Sequence, residues 1–451
     1  MYLSRGRCAD GMGAGPFGRA GRMSAFVKRI PVADRLIRRN PLFYGGFRRL
    51  LTKTERASLD ERRALAARLL ERSRRWAAGL PGYTQSDLAQ PLSAQPVLTK
   101  AGLLNRIDDF TAASWSPSSH AATGGTTGVP LQLVRSLSSL TMEQAMIDHL
   151  AAKAGVDLPN ARAAVLRGDA VKDPNDNRPP FWRPAGVHRL IFSSNHLNAE
   201  NYAAFERALL EFRPEVLLIF PSSLELLTDL AGQRTSPVRF KLAITSSEML
   251  RPGLRDAVMR TFGASLIDYY GMAERVCAAY SMEDDGAYRF IFPYGLAELI
   301  ESAPGRYRII GTGFWNRRQP LRRYDTEDIA LLPEGASPQQ LERVALGIDT
   351  FTGIEGRTTD YLLLADGSRV DTLDQLPFGV HGAATIQLIQ ETLDTALIVV
   401  VPNAQFSDRT LEVIRQNFYK KAPRAMKVRL EVRDAPHRLA NGKAPSFISQ
   451  L

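Results

Sequence analysis

Apolar runs of strand length alternate with helical patterns through the middle of the chain. The predicted strands cover residues 163–166, 188–192, 216–220, 241–245 and 265–269, and the helical patterns between several of them cover 199–212, 223–231 and 253–262. This alternation predicts βαβ units that form a largely parallel sheet with helices on its faces. Because ligands of such sheets usually bind at the carboxyl ends of the strands, we expect the functional site at that edge.

Two further groups of short strands follow beyond residue 287. The first predicts a β-rich subdomain and comprises 288–292, 297–301 and 306–311. The second predicts a small α+β domain and comprises strands at 385–389, 396–401 and 426–432 with a helix at 408–419. With the polar linker at 353–360 between them, we predict an α/β protein with a large domain at 23–356, a small mobile domain at 357–451 and a disordered tail at 1–22.

The segment before the sheet is predicted to be helical at first and then irregular. Ser58 and Glu61 form an S-x-x-E capping box, in which hydroxyl and carboxylate satisfy free backbone N–H groups, so a helix is expected to begin there and to end by Gly79. Residues 87–118 are expected to be irregular and partly helical, followed by a strand at 131–134 and a helix at 142–154.

The net charge of +11 is concentrated in one region near the N-terminus. Residues 28–75, here called the basic region, contain 15 Lys and Arg against 5 Asp and Glu. Such a region can attract a phosphate-rich or acidic partner, such as an acidic acyl carrier protein, but the solvated face of an Arg-rich helix explains it equally well. No nucleic-acid partner is expected, because no nucleic-acid module accompanies the charge.

Cysteine content and hydropathy bear on the cellular location. The two cysteines, Cys8 and Cys277, are too few for a disulfide framework or a cysteine-rich zinc site, which favours a reducing, cytoplasmic compartment. No apolar run reaches the roughly 18 residues that a membrane span needs, and residues 1–22 lack the apolar stretch of a secretory signal. We therefore expect no transmembrane segment.

A glycine- and threonine-rich stretch precedes the predicted sheet. It comprises Thr123, Gly124, Gly125, Thr126, Thr127 and Gly128, followed by Val129 and Pro130. Glycines permit close approach, and hydroxyls with successive N–H groups can form a concave anion site, so the stretch predicts a polyphosphate loop. It is not of the Walker A form, because no lysine follows Gly128. A triphosphate bound there would need a cation from elsewhere in the chain.

Five motifs together resemble those of the adenylate-forming enzymes, the superfamily of acyl-CoA synthetases, peptide-synthetase adenylation domains and luciferases. They are the loop at 123–130, Tyr270-Gly271-Met272-Ala273-Glu274, Tyr324-Asp325-Thr326-Glu327-Asp328, Gly356-Arg357-Thr358-Thr359-Asp360 and Asn441-Gly442-Lys443. Further segments are similar to the phenylacetate-CoA ligase and CapK-like branch of that superfamily, at 96–100, 166–169, 193–197, 221–223 and 311–316. The resemblance extends from about residue 40 to the C-terminus.

The resemblance implies that the large domain binds MgATP and a carboxylic acid. It assigns the β- and γ-phosphates to the loop at 123–128, adenine stacking to Tyr270 beside Gly271, and contacts near adenine and the α-phosphate to Ser246, Ser247 and Glu248. Glu274 would bind Mg²⁺, Asp328 the ribose hydroxyls and Arg357 the ribose or a phosphate. Lys443, from the small domain, would bridge the acid and the α-phosphate in the transition state.

Other interpretations of these residues are open. Glu274 could form a salt bridge with Arg275, and the segment from Ser246 to Glu248 could cap the next helix. Lys443 could be a solvated lysine, in which case Lys420, Lys421 and Lys427 would be equivalent to it. Three positions also depart from the superfamily pattern: Ala273 replaces a Thr, Glu327 a Gly and Thr359 a common Asp.

The implied reaction has two steps, formation of an acyl-adenylate and transfer of the acyl group to a thiol, with the small domain swinging between them. The thiol would belong to CoA or to the phosphopantetheine of a carrier protein. Phe192, His196, Phe220, Tyr269 and Met272 could line a partly aromatic pocket, which favours an aryl acid such as a hydroxybenzoate or phenylacetate. An aryl acid:carrier ligase, for instance for 3-hydroxybenzoate, is the sharpest hypothesis. A non-catalytic adenylate-binding protein of polysaccharide assembly, or a basic binder of nucleic acid or membrane surfaces, is the alternative.

Overall fold

The computed structural model describes most of the chain beyond residue 35. The described residues are 36–113, 117–122, 131–167, 171–172, 176, 178–232, 236–282, 286–355, 362–363, 365, 369–370, 376, 380–419, 422–439, 442 and 444–451. The predicted tail at 1–22, the predicted phosphate loop at 123–130, the motif at 356–360 and Lys443 lie outside them.

The regular elements are numbered here in chain order within the described residues. The α-helices are α1 (Tyr44–Glu55), α2 (Leu59–Ala77), α3 (Gln85–Ala89), α4 (Lys100–Asn105), α5 (Leu137–Lys153), α6 (Tyr202–Phe212), α7 (Pro221–Ala231), α8 (Leu254–Phe262), α9 (Pro338–Ala345) and α10 (Asp408–Tyr419). The strands are β1 (Ser118–Ala122), β2 (Gln132–Ser136), β3 (Ala163–Leu166), β4 (Trp182–Pro184), β5 (Arg189–Phe192), β6 (Val216–Ile219), β7 (Leu242–Ser246), β8 (Ser265–Gly271), β9 (Ala278–Ser281), β10 (Arg289–Phe290), β11 (Gly295–Ala303), β12 (Arg306–Gly313), β13 (Tyr324–Leu331), β14 (Gly353–Glu355), β15 (Leu362–Leu363), β16 (Arg369–Val370), β17 (Ala383–Gln390), β18 (Thr395–Pro402), β19 (Lys427–Val432) and β20 (Phe447–Ser449). Short 3-10 helices cover Leu92–Ala94, Ile107–Phe110 and Ser194–His196.

An eight-stranded sheet with the order β10-β9-β8-β7-β6-β3-β5-β4 carries the predicted βαβ units. Strands β8, β7, β6, β3 and β5 run parallel, and the outer strands β4, β9 and β10 pair antiparallel. Side chains alternate between the two faces along each strand. Ala243 therefore packs with the residues of α6, α7 and α8, whereas Leu242 and Ile244 pack with α1 and α5 on the other face. The predicted α/β class is confirmed.

A four-stranded antiparallel sheet, β11-β12-β13-β14, forms the β-rich part that the sequence predicts. Beside it, β1 and β2 form an antiparallel hairpin in which Ser119 faces Arg135 and Ala122 faces Gln132. The two strands thus flank the predicted phosphate loop at 123–130 in sequence.

The C-terminal part consists of a mixed sheet of order β19-β18-β17-β20 with α10 packed against it. Its core includes Ile398, Val400, Ile414 and Phe418, which are all fully buried. The pattern of strands and one helix that the sequence predicts beyond residue 380 is therefore present, with β20 as an additional short strand beside β17.

The N-terminal part is helical. The predicted capping box is formed at the start of α2: Ser58 N–H donates to Glu61 Oε2 at 2.7 Å, and Glu61 N–H donates to Ser58 Oγ at 3.3 Å. The helix ends at Ala77, before the predicted stop at Gly79. In the described parts of the chain, no helix combines the length and the apolar character that crossing a bilayer requires.

Candidate active site

The loops that follow the parallel strands open at one edge of the large sheet. Ser246 ends β7 and pairs with Tyr269 on β8, so the segments 246–248 and 270–274 leave the sheet side by side. Phe220 follows β6, and Arg167 follows β3 at the same edge. The topology therefore brings together motif residues that are separated in sequence.

Glu274 is buried at this edge, and only part of its hydrogen-bonding capacity is used. Its side chain is 4% exposed, and Oε1 accepts a hydrogen bond from the Tyr324 hydroxyl at 2.8 Å. Among the described residues no donor reaches Oε2. Arg275 is not its salt-bridge partner, because the guanidinium donates to Ser139 O at 2.7 Å and lies 3.6 Å from Glu143. A buried carboxylate oxygen without a donor is costly, which indicates a place for a cation.

The donor set around Glu274 fits Mg²⁺ bound together with a nucleotide. The described residues contain no group of three or more His, Cys, Asp and Glu side chains that could enclose a metal ion. Mg²⁺ in proteins is commonly held by one or two carboxylates, by water and by substrate phosphates rather than by a cage of side chains. One carboxylate with an open buried oxygen is therefore the expected protein contribution, and the bound ion would neutralise phosphate charge.

A second tyrosine–carboxylate pair joins two other motifs. The Tyr270 hydroxyl at the end of β8 donates to Asp328 Oδ2 on β13 at 2.7 Å. Burial and the nearby charge of Asp328 raise the pKa of Tyr270 well above its ordinary value, so the hydroxyl stays a donor at neutral pH. Asp328 is half-buried. As a carboxylate, it can accept hydrogen bonds from two hydroxyl groups at once.

Backbone strain is concentrated next to these motif residues. Ser247, Arg275, Arg323 and Glu327 have positive φ angles of 75°, 58°, 45° and 64°. A non-glycine residue in this region costs about 1–3 kcal/mol and persists where the surroundings hold it, which is common at functional sites. Each of the four is adjacent to a motif residue or belongs to a motif, so the strain marks the same site as the hydrogen bonds.

Glu327 occupies a turn in a backbone conformation that favours glycine. The φ angle of 64° is one that glycine adopts freely. The N–H of Glu327 donates to Asp325 Oδ1 at 3.0 Å, and the Asp328 N–H donates to Thr326 Oγ1 at 3.2 Å. These bonds hold the turn despite the side chain, and they leave Asp328 facing Tyr270.

Glu248 connects the large sheet to the C-terminal part. Its Oε2 accepts from the Ser222 N–H at 2.9 Å, at the start of α7, and its Oε1 accepts from the Ala444 N–H at 3.2 Å. It thus caps α7, the helix before its own strand, and not α8, the next helix in sequence. Burial raises the pKa of Glu248 although both N–H groups oppose this effect.

Arg438 makes a second connection at the same place. It donates through Nη2 to Ser223 Oγ at 3.1 Å and through Nη1 to Gly442 O at 2.8 Å. Burial lowers the pKa of Arg438 to about 10. Gly442 and Ala444 are the sequence neighbours of Lys443, so both described neighbours of that lysine are bound at the edge formed by β6 and β7.

A third connection lies one helical turn further along α7. Arg251 donates to Glu225 Oε2 at 3.2 Å and to Ala384 O on β17 at 2.9 Å. Burial raises the pKa of Glu225 to about 7, because its effect is larger than the opposing attraction of Arg251. Burial also raises the pKa of Asp229, to about 6. This contact between the large and C-terminal sheets therefore contains groups that titrate near neutral pH.

The five residues predicted to line a substrate pocket have different environments. Phe192 has no exposed surface and packs between Trp182 and Phe205, so it is a core residue and cannot contact a ligand in this structure. His196 is 1% exposed and bonds through Nδ1 to Ser193 Oγ at 2.7 Å. The remaining three lie at the edge itself: Phe220 and Tyr269 are almost buried, and Met272 is half-buried.

Three residues that the sequence did not single out belong to this site: Tyr324, Arg135 and Arg438. Tyr324 opens one of the motifs, but its contact with Glu274 depends on how β13 lies against β8. Arg135 donates through Nε to Ala273 O at 2.9 Å. Arg438 precedes the predicted lysine by five positions. The other residues assigned from the motifs lie outside the described residues: Thr123, Gly124, Gly125, Thr126, Thr127, Gly128, Arg357 and Lys443.

The basic region contains cations of two kinds. On α2, Arg72 donates to Phe314 O at 3.0 Å and lies 4.1 Å above the Trp315 ring, so it is a packing residue. On α1, a surface formed by Arg48, Arg49, Lys53 and Arg56 makes no ion pair with any described carboxylate within 4 Å. The exposed positive charge of the region is therefore centred on α1 more than on α2.

Comparison with known proteins supports one fold. Protein CapK of Staphylococcus aureus is 22% identical over 313 residues, which are 68% of this chain and 68% of CapK. Two crystal structures of 2-hydroxyisobutyryl-CoA ligase in the postadenylation state, one with 2-HIB-AMP and one with R3-HIB-AMP, match with TM-scores of 0.57 and 0.55. Each is 16% identical, and each match covers 85% of this chain and 89% of the other. No protein-family model matches the chain.

The chain therefore has the fold of 2-hydroxyisobutyryl-CoA ligase. Its sequence is similar to that of CapK, as the motifs predict. The predicted resemblance to adenylate-forming enzymes and to the CapK-like branch is thus confirmed.

Proposed function

We propose that this chain is an ATP-dependent ligase that activates a carboxylic acid as an acyl-adenylate and transfers the acyl group to a thiol. The observation that carries the proposal is the pair of hydrogen bonds Tyr324–Glu274 and Tyr270–Asp328 at the edge of the parallel strands. One pair leaves a buried oxygen for a cation, and the other presents a carboxylate that suits vicinal hydroxyls. The fold shared with a ligase that binds 2-HIB-AMP supports the same conclusion.

In the first step, a carboxylate oxygen of the acid forms a bond to the α-phosphorus of ATP. The bond from that phosphorus to the oxygen bridging to the β-phosphate breaks, and pyrophosphate leaves with the electron pair. Asp328 accepts hydrogen bonds from the ribose hydroxyls, and Tyr270 fixes that carboxylate while its ring lies against adenine beside Gly271. The loop from Thr123 to Gly128 binds the β- and γ-phosphates.

Charge stabilisation in this step is divided between two parts of the chain. Glu274 would hold Mg²⁺, which would neutralise phosphate charge, and Arg357 would contact the ribose or a phosphate. Lys443 bridges the attacking carboxylate and the α-phosphate, where positive charge stabilises the transition state most. Ser246 and Ser247 lie beside the nucleotide. We propose that Glu248 positions the segment that carries Lys443 and does not contact the nucleotide. Both of its carboxylate oxygens already accept hydrogen bonds, from the N–H groups of Ser222 and Ala444.

In the second step, a thiol sulfur attacks the carbonyl carbon of the acyl-adenylate. The carbon–oxygen bond to AMP breaks, AMP leaves with the electron pair, and the thiol proton passes to solvent. The unit at 357–451 would rotate against the unit at 23–356 between the two steps, so that the thiol can replace Lys443. The thiol is that of CoA or of a carrier-protein phosphopantetheine, and the exposed cations of α1 would attract either.

The acid is proposed to be a small aryl acid, such as a hydroxybenzoate or phenylacetate. Phe220, Tyr269 and Met272 are apolar or aromatic and lie where the loops open. His196 is held by Ser193 below them and would act through the loop that it orders. A short pocket lined by aromatic and apolar side chains favours binding of a flat acid over binding of an acid with a long acyl chain.

The test is acid-dependent release of pyrophosphate from MgATP, measured over a panel of aryl, short aliphatic and long-chain acids. We expect release with one class of acid and a loss of at least 100-fold in Lys443→Ala. Lys427→Ala is the matched control, because Lys427 is an exposed lysine of the C-terminal sheet, and it is expected to retain activity. Release that needs no acid, or equal rates in the two lysine variants, would contradict the proposal.

A further inference from the structure

Arg135 lies on the strand that follows the predicted phosphate loop in sequence, and its side chain contacts the turn that carries Glu274. It is on β2, which begins two residues after the loop ends at Pro130. Its side chain crosses to the next motif, and Nε donates to the carbonyl oxygen of Ala273 at 2.9 Å. The guanidinium therefore joins the strand that leaves the loop to the residue that precedes Glu274.

No carboxylate of the described residues forms an ion pair with Arg135. Glu143 accepts from the Tyr294 hydroxyl at 2.5 Å and lies 3.6 Å from Arg275, and Glu274 accepts from Tyr324. Within the described part of the chain Arg135 forms no ion pair, and its one side-chain hydrogen bond goes to the Ala273 carbonyl. Both of its terminal amino groups are left without a protein acceptor there.

The energetics of this arrangement favour an anion. Burial and, second to it, repulsion by Arg275 lower the pKa of Arg135 to about 10, although Glu143 and Glu274 act in the opposite direction. A half-buried cation without a paired carboxylate is destabilised, and a bound anion relieves that cost. A guanidinium whose Nε is fixed by a carbonyl presents its amino groups as a rigid fork, which suits phosphate oxygens.

We propose that Arg135 binds the β- and γ-phosphates of ATP and, after adenylyl transfer, the pyrophosphate product. It would supply the built-in positive charge that the loop at 123–130 lacks, because no lysine follows Gly128. When the bond between the α-phosphorus and its bridging oxygen breaks, charge accumulates on the leaving pyrophosphate, and Arg135 stabilises it there. The catalytic part of the inference rests on the proposed function; the binding part does not.

The experiment compares binding of magnesium pyrophosphate with binding of AMP by isothermal titration calorimetry, using the full chain. In Arg135→Met we expect affinity for magnesium pyrophosphate to fall roughly 10- to 100-fold, because a charge-assisted hydrogen-bond pair is lost. AMP has no β- or γ-phosphate, so its affinity should stay within about twofold. Arg135→Lys keeps the positive charge but lacks the paired N–H donors of a guanidinium. Its affinity for pyrophosphate should fall about threefold or more, and its affinity for AMP should not change.

Arg72→Met is the matched control. Arg72 is also half-buried and donates to one backbone carbonyl, that of Phe314, but it lies on α2 among tryptophan rings. Its replacement should leave both affinities unchanged. Equal losses for pyrophosphate and AMP in Arg135→Lys, or unchanged pyrophosphate binding in both Arg135 variants, would overturn the inference. If no acid supports pyrophosphate release but Arg135→Met still loses pyrophosphate selectively, the phosphate site stands and only the ligase proposal fails.

Discussion

The backbone N–H of Ala444 donates to Oε1 of Glu248 across 3.2 Å and so fixes the C-terminal segment to the end of β7. The second carboxylate oxygen of Glu248 is occupied by the first turn of α7, which means that the carboxylate cannot move without losing a helix cap. Arg438 completes the arrangement by joining Gly442 to Ser223. Gly442 and Ala444, on either side of position 443, are thereby held at the edge formed by β6 and β7.

Arg438→Met is expected to slow pyrophosphate release about tenfold, because the two hydrogen bonds by which the guanidinium joins Gly442 to Ser223 are lost. Thioester formation from acyl-adenylate that is already bound should change less than twofold, since Lys443 is not needed in that step. Arg433→Met is the control: Arg433 lies in the same connection between β19 and β20 but pairs with Glu431 at the surface, and neither step should change. Equal slowing of both steps by Arg438→Met would mean that its role is general stability.

Glu274→Gln keeps the volume of the side chain and removes its charge. We expect pyrophosphate release to fall at least 100-fold and the Mg²⁺ concentration for half-maximal rate to rise, because the open oxygen would be lost as a ligand. Tyr324→Phe should cost about 3- to 10-fold, since it only frees the other oxygen. Tyr307→Phe is the control, a buried tyrosine whose hydroxyl has no partner among the described residues. An unchanged Mg²⁺ requirement in Glu274→Gln would exclude the metal role.

Glu327→Gly should stabilise the chain. The φ angle of 64° is strained for glutamate and free for glycine, so the free energy of unfolding should rise by up to about 1 kcal/mol. Arg213→Gly, at a φ of 49° after α6, tests the same effect away from the site and should give a similar gain. Thermal or denaturant unfolding measures both. A loss of stability in Glu327→Gly alone would show that the glutamate side chain, and not the backbone bonds of the turn, holds the 324–328 motif.

Glu225→Gln should change how stability depends on pH. The folded-state pKa of Glu225, about 7, lies above its ordinary value near 4.5, so the folded chain keeps the proton in a range where the unfolded chain has lost it. This group therefore contributes stability that is fully present below pH 4.5 and is lost as the pH rises through 7. The loss amounts to roughly 3–4 kcal/mol, since each unit of pKa shift corresponds to about 1.4 kcal/mol.

Unfolding followed from pH 5 to pH 8 measures this effect. The fall in stability should be smaller in Glu225→Gln than in the original chain, because glutamine has no charge to bury. Arg251 keeps its bond to Ala384 O in the variant, which limits other damage. An equal fall in both chains would indicate that Glu225 does not carry the buried charge.

Much of the fold follows from the sequence because the parallel strands are continuous apolar runs. The strand Ala163–Leu166 and the helix Asp408–Tyr419 have the bounds that the pattern predicts. The hydrophobic pattern alone did not predict β13 (Tyr324–Leu331), because its first half reads Tyr-Asp-Thr-Glu-Asp and shows no apolar alternation. Asp325 and Thr326 are buried, and Glu327 and Asp328 are half-buried. Their hydrogen bonds are partly tertiary contacts, which a local pattern does not contain.

The candidate site is likewise predicted from the sequence only in part. The motifs identified Glu274, Asp328 and Tyr270, but not the pairing of each carboxylate with a tyrosine from the other motif, since this depends on how two sheets lie together. Phe192 was assigned to a pocket because it ends a strand beside a motif, yet its ring faces the aromatic core. Arg135 and Arg438 carry no signal in their own segments, because only the fold brings them to Ala273 and Ser223.

The most direct test of the central claim is acid-dependent exchange of labelled pyrophosphate into ATP, measured without any thiol. Adenylyl transfer is reversible at the acyl-adenylate, so the account predicts exchange that requires both Mg²⁺ and one class of carboxylic acid, and that is lost in Lys443→Ala and in Glu274→Gln. Formation of ADP and phosphate with no exchange for any acid would contradict it.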